Sequence, residues 1–170
     1  MDLARVHKKI AEAHFFLGKL IQQEPRILGD KEPFDYYLSA FLNAARTVDY
    51  QLHREQGTIY KPWRGVWDAR LTSDQRGLMK FIDHDRNIEV HDSGSSRNVG
   101  QEGVKFGIGT HQVDGGIVTI SGPPGMEPAV AYRLTYSFTI DGTEQKVTDA
   151  CAAHLALLQR MVVEFETAHP

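Results

Sequence analysis

At 170 residues the chain falls in the one-domain range and is long enough to bury a sizeable core. Its 41% apolar and 24% charged residues exclude a disordered tail, a collagen-like repeat and a disulfide-dense secreted scaffold. A formal net charge of -3 supplies no long-range basic field, so any RNA site has to be local.

The lone cysteine, Cys151, excludes an internal disulfide and cannot by itself make a structural zinc site, which fits a reducing cytosol. The opening residues Met1 to Lys9 alternate charge with apolar side chains and lack the apolar core of a signal peptide. No later stretch is apolar for long enough to span a bilayer, so the expected location is the cytoplasm with no membrane partner.

In chain order, Leu3, Val6, Ile10, Ala13, Leu17 and Ile21 recur at steps of three and four, which predicts a first helix. Pro33 suits the first turn of a second helix, where its missing N–H costs nothing. That helix carries a stripe of Phe34, Leu38, Phe41, Ala45, Val48 and Leu52, and Gly57 is expected to end it. Trp63 and Trp67, four apart, predict a further helical turn that caps the bundle. Thr72-Ser73-Asp74-Gln75 has the capping-box order, so a third helix should start there and run through Leu78, Phe81, Ile82 and Ile88 to about Asp92.

Residues 94–103 have neither period and read as a flexible crossing. Beyond them the period changes to two. Val104, Phe106 and Ile108 alternate, Asp114-Gly115-Gly116 is a tight-turn signal, and Ile117 to Ile120 completes a hairpin. Val130, Leu134 and Phe138 should then face the helices from a long strand whose Arg133, Thr135 and Ser137 stay wet. After a turn at Asp141-Gly142, Thr148 is expected to cap a last helix carrying Cys151, Leu155, Leu158, Val162 and Phe165. The expected fold is one α+β domain over residues 1–170: a mainly helical, four-helix-type bundle with its core in 1–93, a three-stranded antiparallel β-meander inserted at 104–142, and a final helix at 148–167 that returns to the bundle.

The most informative residues are Asp83-His84-Asp85-Arg86-Asn87-Ile88-Glu89-Val90-His91, late in the third helix. Arg86-Asn87-x-x-x-His91 resembles the Arg-x(4 to 6)-His signature of HEPN domains, in which a polar residue commonly follows the arginine. The preceding hairpin, especially Tyr37 to Arg46, is similar in character to that family's helices. The resemblance covers the first half of the chain and the last helix. It implies a homodimeric bundle that gathers two copies of the motif in a cleft and, in active members, a metal-independent endoribonuclease of a toxin or defence system. It also implies RNA and a cognate antitoxin or other protein as partners, and no cofactor. On that resemblance Arg86 would clamp phosphate, His91 would serve as general acid or base, and Asn87 would orient them. These residue types suit the chemistry, since guanidinium binds phosphate bidentately and imidazole titrates near neutrality. On a straight helix Arg86 and His91 lie about 140° apart, so they converge only where the helix ends between them or the arginine folds round.

Other readings stay open. Arg86 can pair with Asp83 or Glu89 on a solvated face, with His91 a helix-end residue in a non-catalytic HEPN-like homodimer that binds or scaffolds a partner through the meander. His84 with His91, and His7 with His14, repeat a seven-residue spacing that needs a partner helix to hold a metal. Trp63, Trp67, Tyr132, Tyr136 and Phe138 read as core rather than as base-stacking platforms. Cys151 lies on an apolar helix stripe, and His154, three residues on, reads as surface.

Overall fold

The structure, a computed structural model, describes residues 2–27, 29–91, 96–113, 116–122, 125 and 128–170, with side chains excepted at 88–91 and 113. Among the described residues it is an α+β fold of four helices with a three-stranded antiparallel sheet placed before the last helix. Helices α1 (Ala4–Gln23), α2 (Glu32–Ala69), α3 (Ser73–His91) and α4 (Val147–Ala168) surround one core. Among the described residues no helix is long and apolar enough to cross a membrane.

The stripe on α2 is buried at every position from Phe34 through Leu52, as its spacing requires. On α1 the stripe closes on Leu20, one step of three beyond Leu17, while Ile21 is 52% exposed. Gly57 does not end α2. The helix bends at Gln56 (φ -128°, ψ 20°) and continues past Pro62 to Ala69. Glycine and proline localise a bend there rather than a stop, because Tyr60 and Trp67 beyond it are buried in the same core and that packing overrides local propensity. Helix α3 opens on a reciprocal capping box: the Gln75 N–H donates to Thr72 Oγ1 at 3.2 Å, and the Thr72 N–H donates to Gln75 Oε1 at 3.3 Å.

On α4 the residues Cys151, Leu155, Leu158, Val162 and Phe165 are all buried. Two expectations are corrected. Thr148 is not the cap: Lys146 precedes the helix without a side-chain cap, and buried Thr148 donates to Glu24 Oε2 on the far end of α1 at 3.0 Å. His154 is 5% exposed rather than a surface residue, because it stands three residues after Cys151 and four before Leu158, on the helix face that enters the core.

The sheet has the order β1 (Asn98–Phe106), β4 (Ala129–Ile140), β5 (Thr143–Lys146), with Asn98 opposite Ser137 and Ile140 opposite Thr143. Strands β2 (Gly109–Val113) and β3 (Gly116–Ile120) form a separate two-stranded ribbon with Thr110 opposite Thr119. Residues 98–103, expected as a crossing, are therefore strand. Their side chains are exposed, so no alternation marks them, and backbone pairing to β4 orders them. For the same reason the hairpin is shifted: Val104 and Phe106 belong to β1, residues 109–113 pair with 116–120, and Asp114 and Gly115 of the expected turn lie outside the described residues. The exposed strand β5 carries no sequence signal either. The Asp141-Gly142 turn stands as expected, both residues having positive φ (48° and 78°), the geometry of a two-residue hairpin connection.

Among the described residues, helices cover β4 at its end nearest β5. Tyr136, Phe138 and Ile140 are buried, Tyr136 stacking on Phe34 with centroids 3.6 Å apart and Phe138 meeting Phe81 edge-on at 5.0 Å. Leu134 is half-buried against the core, whereas Val130, expected inside, is 48% exposed because no described helix residue covers it. Thr135 and Ser137 are half-buried rather than wet, and Arg133, also half-buried, pairs with Glu102 at 2.7 Å. The sheet is seated on α3 through Gly77, where the Asp141 carboxylate occupies the space that any Cβ would need.

Candidate functional site

Helices α2 and α3 run antiparallel, so residues descending on one meet residues ascending on the other. Asn43 faces Arg86, and one turn along Arg46 pairs with Asp83. The first of these contacts is the candidate site. Arg86 is half-buried and donates through Nε to Asn43 Oδ1 at 3.3 Å and through Nη1 to Asn87 Oδ1 at 3.4 Å. Asn43 is itself fixed: its Nδ2 donates to the Ser39 carbonyl at 3.0 Å, which leaves the amide oxygen for the guanidinium. The hydroxyl of Thr47 donates to the Asn43 carbonyl at 2.7 Å and adds a second restraint on the same turn.

Both partners of Arg86 are neutral amides, and among the described residues no carboxylate lies within ion-pair distance of it. Of the acidic residues that the sequence places near Arg86, Asp83 and Asp85 are used elsewhere. Asp83 pairs with Arg46 and not with Arg86. Asp85 is fully buried and accepts from the Ser96 N–H at 2.7 Å and the Ser96 hydroxyl at 2.5 Å, which fixes Ser96 just before β1. It also faces α4. The Cys151 thiol is pushed far up, first by burial and then by the Asp85 charge, which keeps it protonated and removes it as a nucleophile.

Of the three residues in the sequence motif, the structure joins Arg86 and Asn87 directly. His91 is the last residue of α3, and its side chain lies outside the described residues, as does that of Glu89. Helix α3 is continuous from Arg86 to His91, so the two positions stay about 140° apart around its axis. Asn43 is the member that sequence reasoning missed. Its signal was present: an amide inside the buried run Phe41, Leu42, Ala44 and Ala45 needs a polar partner from a neighbouring helix.

Several of the remaining sequence candidates go to structural roles, whereas Tyr132, expected as core, does not, because no described helix residue covers that end of β4. His7 lies 2.6 Å from Glu166 and joins α1 to the end of α4. Trp67, Tyr136 and Phe138 are core, Trp63 packs on Phe165 with centroids 5.1 Å apart, and Tyr132 is exposed. Among the described residues no three His, Cys, Asp or Glu side chains gather in a way that could hold a metal ion. Comparison of the chain with protein-family models, with curated proteins and with solved structures finds no match in any of the three, so the functional reading rests on the geometry around Arg86.

Proposed function

We propose that this chain is a HEPN-like protein that acts on RNA as a homodimer, cleaving it without a metal as part of a toxin or defence system. The observation that supports this reading most is the way Arg86 is held. Two amide oxygens, from Asn43 and Asn87, orient the guanidinium without neutralising it, so its charge is left to bind a phosphate and to stabilise the charge that develops on it during cleavage. In this reading Asn87 positions Arg86, and His91 moves the proton between the attacking hydroxyl and the leaving oxygen. Because the Arg86 and His91 positions diverge around one helix, a cleft formed with a second copy supplies an Arg86 and a His91 to the same phosphate.

A second reading, a non-catalytic homodimeric scaffold, draws support from the far end of the β-region. There Ile117, Val118, Val130 and Tyr132 expose apolar surface suited to a protein partner such as an antitoxin.

One experiment separates them. Wild type, Arg86→Ala and His91→Ala are incubated with and without EDTA with structured and single-stranded RNAs, and the oligomeric state of each is followed by light scattering. The enzyme reading expects a dimeric wild type that cleaves, and dimeric variants that have lost cleavage with little change in melting temperature. A wild type that leaves every RNA intact, with an Arg86→Ala variant that dissociates, overturns it in favour of the scaffold. Cleavage abolished by EDTA removes the metal-independent mechanism.

A further inference from the structure

One helical turn beyond the Arg46–Asp83 pair, the groove between α2 and α3 deepens against α4 into a cavity of about 470 Å³. This is within the size range of small-molecule sites. Its inner wall is apolar, formed by the buried side chains of Ile82 and Leu158. Set in that wall is His154, which is 5% exposed and whose Nδ1 has no hydrogen-bond partner among the described residues. A buried ring nitrogen in that condition is unusual, because the fold gives up its hydration without replacing it. Burial also holds this imidazole neutral at pH 7, its pKa pulled down to about 4, so it offers one donor and one acceptor rather than a charge.

Four cations, Arg46, Arg64, Arg76 and Lys80, and three carboxylates, Asp49, Asp68 and Asp83, line the cavity, which leaves a net charge of +1. Arg46 is matched by Asp83, and Arg64 by Asp49 and Asp68 while its guanidinium lies over the Trp67 ring. Lys80 and Arg76, both solvent-exposed and so at the mouth, have no carboxylate within ion-pair distance among the described residues; Arg76 donates to the Leu71 carbonyl at 2.9 Å. The cavity therefore combines two unmatched cations outside, an apolar wall, and one unsatisfied neutral polar group inside.

We infer that this cavity binds a small organic acid, with its anionic head at Lys80 and Arg76, its apolar body on Ile82 and Leu158, and a hydrogen-bonding group at the far end that meets His154. The site is separate from Arg86, and the inference holds whether or not the protein cleaves RNA. The anionic head takes the same cations as carboxylate or as phosphate, and the choice of probes distinguishes the two.

The test is calorimetric titration of the full chain with four probes: 4-hydroxyphenylacetate and 4-hydroxyphenyl phosphate as acids, phenylacetate without the hydroxyl, and the neutral 4-hydroxyphenylacetamide. Histidine ring resonances are followed by NMR in parallel. At least one hydroxylated acid should bind saturably and shift the His154 ring signals, with the amide and phenylacetate each weaker by about tenfold. Exposed Lys80 can be changed without disturbing the core, and Lys80→Gln should weaken the acids by about tenfold while leaving the amide unchanged. His154→Phe should abolish the preference for the hydroxyl; where that variant fails to fold, the wild-type ring shift reports the same contact. Absence of saturable binding by both acids, binding indifferent to Lys80→Gln, or His154 signals that never move, as for a nitrogen satisfied by water alone, each overturns the inference. Full competition by inorganic phosphate reduces the site to a surface anion site and overturns it as well.

Discussion

From Tyr136 to Ile140, β4 buries every second side chain in the helical core, whereas from Ala129 to Tyr132 the same alternation leaves Val130 and Tyr132 about half exposed. The two ends share a strand and a pleat, with β1 paired along Ala129 to Ser137 and β5 along Ser137 to Ile140. They differ in what stands opposite: helices α2 and α3 cover the first through Phe34 and Phe81, and no described helix residue covers the second. Alternation decides which side chains share a face, and a second layer decides whether that face is an interior.

The largest expected effect breaks this contrast directly. Phe138→Ala should cost about 3–5 kcal/mol in urea unfolding, and Val130→Ala less than about 0.5 kcal/mol. Equal losses from the two changes would mean that the outer end of β4 has a covering layer after all.

Charge sharpens the same contrast between interior and edge. His154 resists protonation in the fold until about pH 4, chiefly because burial penalises its charged form, while in the unfolded chain it takes up a proton near its ordinary value of 6.5. Its contribution to stability is thus complete above pH 6.5, declines as the pH falls through that window, and levels off below about 4. The total loss is on the order of 3 kcal/mol. The wild type should lose stability more steeply than His154→Leu between those pH values, and parallel profiles would show that His154 does not titrate as a buried group.

Smaller effects probe the boundaries of the elements. Thr72→Ala removes the hydroxyl that accepts the Gln75 N–H and should cost about 1 kcal/mol, measured by the thermal midpoint. Glu102→Ala breaks the pair with Arg133 on the open part of the sheet and should change stability by no more than about 0.5 kcal/mol. A loss as large as that of Thr72→Ala would assign the sheet edge a structural weight comparable to the helix cap.

What could be read in the sequence follows the same line. The α2 stripe, the apolar positions Cys151, Leu155, Leu158, Val162 and Phe165 of α4, and the Thr72 box were legible, because amphipathic period and capping chemistry are local and one-sided burial writes them into the residue types. Residues 98–103 of β1 and the whole of β5 were not legible, because their order comes from backbone pairing to β4 and their exposed side chains carry no pattern. His154 was misjudged because a polar residue type outweighed its spacing to Cys151 and Leu158. At the site, Arg86 and Asn87 were found by their motif, whereas Asn43 is 43 residues from Arg86 in the chain and only the helix pairing brings it there.

The placement of α4 has a consequence for the order in which the molecule can assemble. Eleven of its 22 residues are buried, more than on any other helix, and it follows every element it packs against. Helices α1 and α2 can meet early as neighbours, but the stripe they present stays open until the whole β-region has emerged and α4 docks, bringing Glu166 beside His7 across 159 positions. Closing so long a loop delays folding and leaves an apolar groove on the three-helix intermediate. A chaperone or a second unfinished chain would find that groove open, and exchange of α4 between copies is the misassembly this order of assembly would favour.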